Sequence, residues 1–77
     1  MQLTLGSYLK SIRESGGYSL RDIERRSGYS MCYIIAIEKG RRVPKPFALG
    51  CILDSLNLKE SQREVVASLL LESAKAC

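Results

Sequence analysis

Ser19-Leu20-Arg21-Asp22-Ile23-Glu24-Arg25-Arg26-Ser27-Gly28-Tyr29-Ser30, running on to Ile34, Ile37, Glu38 and Gly40, is the stretch that decides the fold. Ser19 is placed to cap a helix from Leu20 to about Ser27, because a serine oxygen accepts one of the first-turn N–H groups that lack an intrahelical partner. Asp22 stands at the third helical position, near the positive end of that helix's dipole. Gly28 supplies the positive φ that a sharp reversal requires. Ser30 caps the next helix, Met31 to Lys39, whose Ile34 and Ile37 share one face with Tyr29 packing behind them; Gly40 ends it. The pattern is two short helices hinged at one glycine, the second with one buried edge and one free face.

Working outward, the pattern stays helical. Leu5, Leu9 and Ile12 recur at i, i+4, i+7, with Tyr8 widening the stripe, Thr4 as N-cap and Gly16-Gly17 as the stop. Arg41-Arg42-Val43-Pro44-Lys45-Pro46 reads as the one substantial loop. Pro46 suits the first turn of a fourth helix carrying Phe47, Leu49, Cys51-Ile52 and Ser55-Leu56, which Asn57 ends. A fifth helix begins near Lys59-Glu60 and carries Val65, Val66, Leu69, Leu70, Leu71 and Ala74. That stripe is wider than one small domain needs, so Val66, Leu69 and Leu70, together with Phe47, are expected to meet a second copy of the chain. No segment alternates as a strand would. The expected fold class is all-α, with five helices in one domain over residues 1–77.

Composition narrows the function. With 45% hydrophobic and 26% charged residues the chain is ordinary globular protein rather than disordered. No apolar run approaches the ~20 residues of a membrane span, and the first residues do not look like a signal peptide, so a cytoplasmic location is expected. Cys32, Cys51 and Cys77 form no Cys-x-x-Cys pair and there is no histidine, so no metal site is expected. Cys51 reads as a small core residue, Cys77 as a terminal thiol, and Cys32 as a thiol on the free helix face, where its oxidation would block a partner. No nucleophile stands beside a base and no glycine loop cradles phosphate, so neither enzymatic activity nor a cofactor is expected. Charge is uneven: nine Lys or Arg face four acids from Lys10 to Lys45, whereas three face four from Pro46 onward. A basic first part beside a near-neutral tail predicts a polyanion-binding face and a separate surface for self-association.

Leu9, Ile12-Arg13, the Ser19-to-Ser30 stretch, Tyr33-Ile34, Ile37-Glu38-Lys39-Gly40, Pro44, and Leu49 through Ile52 to Leu56 together resemble the phage Cro/repressor-like (Xre-type) helix-turn-helix family over about Leu5 to Leu58. The resemblance implies a repressor-like domain with its helix-turn-helix at about 19–39 and a dimerising C-terminal helix at about 59–75. It implies a small sequence-specific DNA-binding transcriptional regulator of prokaryotic or phage type, binding double-stranded DNA as a homodimer with the third helix in the major groove, and open to a regulatory protein partner. By position in the family, Ser30, Met31, Cys32, Ile35 and Ala36 face base edges. Ser19, Tyr33, Lys39, Arg41, Arg42 and Lys45 lie against phosphate. The family also pairs the residues corresponding to Arg13 and Glu38; independently, a carboxylate at a helix C-terminus is electrostatically disfavoured and calls for a nearby cation.

Three positions depart from the family pattern. Glu24 stands where a small residue is usual, and is expected either to bend outward toward an arginine or to open the crossing of the second and third helices. Ser27 replaces a core aliphatic residue. The free face of the third helix has no Arg, Asn or Gln for bidentate base contacts. Phosphate contacts are therefore expected to carry most of the affinity, with thymine contacts and DNA shape setting base preference. An apolar exposed helix also fits the alternative of a protein-interaction module, an antirepressor or adaptor.

Overall fold

The computed structural model describes residues 4–75 and, within the last helix, side chains as far as residue 72. Cys77 and the side chain of Ala74 therefore lie outside the described residues. The elements are α1 (Leu5–Ser15), α2 (Leu20–Ser27), α3 (Met31–Glu38), α4 (Pro46–Ser55) and α5 (Glu60–Lys75), with no strand among the described residues.

Local chemistry accounts for the boundaries. Thr4 and Ser19 each close a capping box with the residue three positions on, so both the helix amide and the cap amide gain acceptors. Gly28 turns the chain at φ 84°, and Pro46 starts α4 where a missing N–H costs nothing. Asn57 follows α4 at φ 54°, a left-handed conformation that asparagine tolerates better than most residues. α3 ends at Glu38, with Lys39 as its C-cap.

The core lies where the helices converge, built from Leu5 and Leu9 of α1, Ile23 of α2, Ile34 and Ile37 of α3, Leu49, Ile52 and Leu53 of α4, and Val66 and Leu69 of α5. The last two overturn an expectation. Val66 is only 1% exposed and Leu69 8%, so they pack inside their own protomer instead of facing a second copy, and Leu70 is half-buried against the same core. Among the described residues of α5, the exposed large apolar side chains are Val65 and Leu71. In α4 the inward residues include Ala48 and Leu53, while Phe47 stands 78% exposed and Cys51 is half-buried rather than in the core.

One contact sets how α3 is held. α1's first turn passes so close to the end of α3 that a methyl group at Gly6 would overlap the carbonyl oxygens of Ile37 and Glu38. The amino end of one helix dipole thus meets the carboxyl end of another.

Candidate nucleic-acid interface

α3 is fixed at both ends by charge. At its C-terminus, Arg13 Nε and Nη2 donate to the two Glu38 carboxylate oxygens at 2.8 and 3.2 Å, while Nη1 donates to the Tyr18 carbonyl at 3.0 Å. The side chains are 11% and 8% exposed, which makes this a fork-on-fork pair in a largely dry setting. The hydrogen bond to Glu38 raises the Arg13 pKa above its already high ordinary value. The pair lets a carboxylate sit at the negative end of α3 and ties that end to α1.

At the N-terminus the anchor is Glu24. It neither pairs with an arginine nor is displaced outward: its Oε2 accepts the Met31 amide at 2.9 Å. An acid on α2 thereby satisfies one of α3's orphan first-turn donors from across the turn. Ser30 Oγ accepts the Tyr33 amide at 3.2 Å, and Ser27 Oγ accepts the Tyr29 amide at the same distance, so the serine in the aliphatic position braces the turn.

Tyr29 does not pack behind Ile34 and Ile37. Its ring stacks on Tyr33 with centroids 5.3 Å apart, because the turn carries it to the flank of α3. The Arg42 guanidinium lies 5.0 Å above the other tyrosine of that stack, Tyr33, whose hydroxyl accepts the Lys45 amide at 3.4 Å. A groove lined by Tyr29, Ser30, Tyr33, Arg42, Lys45 and Phe47 results, with cations and aromatic faces together.

Between these anchors α3 presents a free face. Ile34 and Ile37 are buried, and the opposite line, Cys32, Ile35, Ala36 and Lys39, follows i, i+3, i+4, i+7 along the outside. Cys32 and Lys39 are exposed, while Met31, Ile35 and Ala36 are half-buried. Lys39, Arg41, Arg42 and Lys45 all lie in the exposed segment where α3 gives way to α4. At α2, Ser19 Oγ accepts the Asp22 amide at 3.1 Å and the Ser19 amide donates to Asp22 at 2.9 Å. Those hydrogen bonds hold the Asp22 carboxyl below its usual range. The amides of Leu20 and Arg21, as first-turn groups, remain without an intrahelical acceptor and point out of the helix end.

Sequence reasoning missed two supports of this face, Gly6 and Tyr18. Besides its carbonyl bond to Arg13, Tyr18 places its ring 4.9 Å below the Arg26 guanidinium, and its hydroxyl accepts from Asn57 at 3.2 Å. Gly6 had a signal, since a glycine near a helix start weakens the helix unless close packing requires it.

Two capped helices joined at a left-handed glycine, with the second anchored at both ends and free along its outer face, define a helix-turn-helix unit. Residues 4–66 match the family model described as a helix-turn-helix domain, and the chain belongs to that family. It is 34% identical over 65 residues to an uncharacterized HTH-type transcriptional regulator of Mycobacterium tuberculosis, matched in two strains; the alignment covers 84% of this chain and 46% of the relative. It is 35% identical over 58 residues to an uncharacterized HTH-type transcriptional regulator of Sinorhizobium fredii, covering 75% of each. The chain thus spans about half the length of the mycobacterial relatives it matches. No solved structure matches it.

Proposed function

We propose that the protein is a DNA-binding transcriptional regulator of prokaryotic or phage type that binds as a homodimer with α3 in the major groove. The observation that carries this reading is a helix locked at both ends, with its outer face bordered by the exposed cations Lys39, Arg41, Arg42 and Lys45. Cations in that arrangement bind phosphates on either side of a groove, while the amides at the start of α2 suit a further phosphate. The naming of the relatives as transcriptional regulators supports the same conclusion. Two-fold pairing sets two such helices ~34 Å apart, so the binding site is a palindrome. With Val66 and Leu69 in the core, the exposed large apolar groups available for pairing among the described residues are Val43, Phe47, Val65 and Leu71.

Selection of sites from random duplexes, followed by titration of the winner at two salt concentrations, tests this. The expected result is an enriched palindrome whose affinity falls steeply with salt. The apolar outer face of α3 favours a second reading, a protein-interaction module. Failure to bind any duplex at low salt would select it.

A further inference from the structure

A base-reading helix normally discriminates through side chains that form two hydrogen bonds to one base edge. Around α3 the polar side chains other than the bordering cations are already engaged. Glu38 is held by Arg13, Glu24 by the Met31 amide, Ser30 by the Tyr33 amide, and Tyr33 lies between Tyr29 and Arg42 with its hydroxyl on the Lys45 amide. Ser30 and Tyr33 each retain one hydroxyl hydrogen, which makes single bonds and distinguishes bases poorly. The outer line itself offers Cys32, Ile35 and Ala36, and only at its far end Lys39.

The feature of a major-groove edge that an apolar surface can recognise is the C5-methyl group of a pyrimidine. We infer, resting on the DNA-binding reading above, that α3 selects duplexes by their C5-methyl groups through Cys32, Ile35 and Ala36, and treats 5-methylcytosine as it treats thymine. The cations bordering the helix fit the polyanion that bears these methyl groups, and hold it against a face that has little affinity of its own for bases. Methylation of cytosine in a site would then strengthen binding, where a hydrogen-bonding reader would be indifferent or obstructed.

The test uses the duplex selected in the experiment above, resynthesised one position at a time. Replacing a contacted thymine by uracil removes only the methyl group and should weaken binding about fourfold, with the losses multiplying over several positions. Replacing the same T·A pair by C·G should weaken it to about the same extent as uracil, and 5-methylcytosine in that C·G pair should recover about fourfold, restoring the affinity seen with thymine. Ile35→Ala should bring the thymine-to-uracil ratio toward one while leaving phosphate-driven binding; Cys32→Ala, at an exposed site, serves the same purpose if Ile35→Ala fails to fold. Selective binding that is indifferent to uracil, or unaided by 5-methylcytosine, would overturn the methyl reading and leave the DNA-binding reading standing. Absence of binding to every duplex at low salt would overturn both.

Discussion

α2 and α3 have the same length, eight residues, and both start behind a serine cap, yet they are built on opposite principles. In α2, Leu20-Arg21-Asp22-Ile23-Glu24-Arg25-Arg26-Ser27, a single residue is buried and most of the rest are charged. In α3, Met31-Cys32-Tyr33-Ile34-Ile35-Ala36-Ile37-Glu38, two are buried and apolar side chains also cover the outside. A charged exterior is what water demands of a supporting helix. The outer line of α3, exposed at Cys32 and half-buried at Ile35 and Ala36, carries no such charge and suits contact with another molecule. By this contrast α2 is built as a brace, and α3 is the helix proposed to contact DNA. Glu24, the one α2 acid turned toward α3, links the two.

Four substitutions probe that contrast, in decreasing order of effect. Arg13→Ala strands the Glu38 carboxylate in a dry site and should lower unfolding stability by about 3–5 kcal/mol, read by urea denaturation; a change under ~1 kcal/mol would mean the pair does not hold α3. Gly6→Ala pushes backbone against the end of α3 and should cost about 1–3 kcal/mol in the same assay. Glu24→Ala removes the acceptor for the Met31 amide and should cost ~1 kcal/mol, with faster hydrogen exchange at that amide. Exchange left unchanged would show that α2 does not cap α3.

The smallest effect concerns α2 alone. Asp22 takes up a proton less readily in the folded protein than in the unfolded chain, so its contribution is present above the ordinary carboxylate pKa of 3.8 and is lost as pH falls through the lower folded value. Asp22→Asn should therefore flatten the acid limb of the stability profile and leave α3 untouched. Thermal melts across that range would show it.

How much was legible in the sequence follows the same divide. The caps at Thr4, Ser19 and Ser30, the turn at Gly28, the start at Pro46 and the end before Asn57 are set by neighbours a few residues away, and sequence alone places them. The burial of Val66 and Leu69 is not legible, because consecutive apolar residues at Val65-Val66 and Leu69-Leu70-Leu71 do not declare which of them points inward; only packing against α1 and the common core decides. Glu24 was illegible because its partner is a backbone amide seven residues away, brought near by the turn. Tyr29 was misplaced for the same reason, since the direction in which a turn projects a ring is not a matter of periodicity. The outer line of α3 could be anticipated from spacing once Ile34 and Ile37 were taken as the inner edge. The engagement of nearly every polar group around it could not.

The proposed function puts DNA on the outer face of α3, and not on α2 or the loop alone. Titration of the selected duplex with Cys32→Glu beside the unaltered protein, with melting followed in parallel, tests it most directly. Cys32 is exposed, so stability should shift by no more than about 0.5 kcal/mol. A carboxylate against the groove should nevertheless reduce affinity by about a hundredfold or more. Affinity left intact in a protein that melts normally would contradict the account, because it would place the DNA somewhere other than on α3.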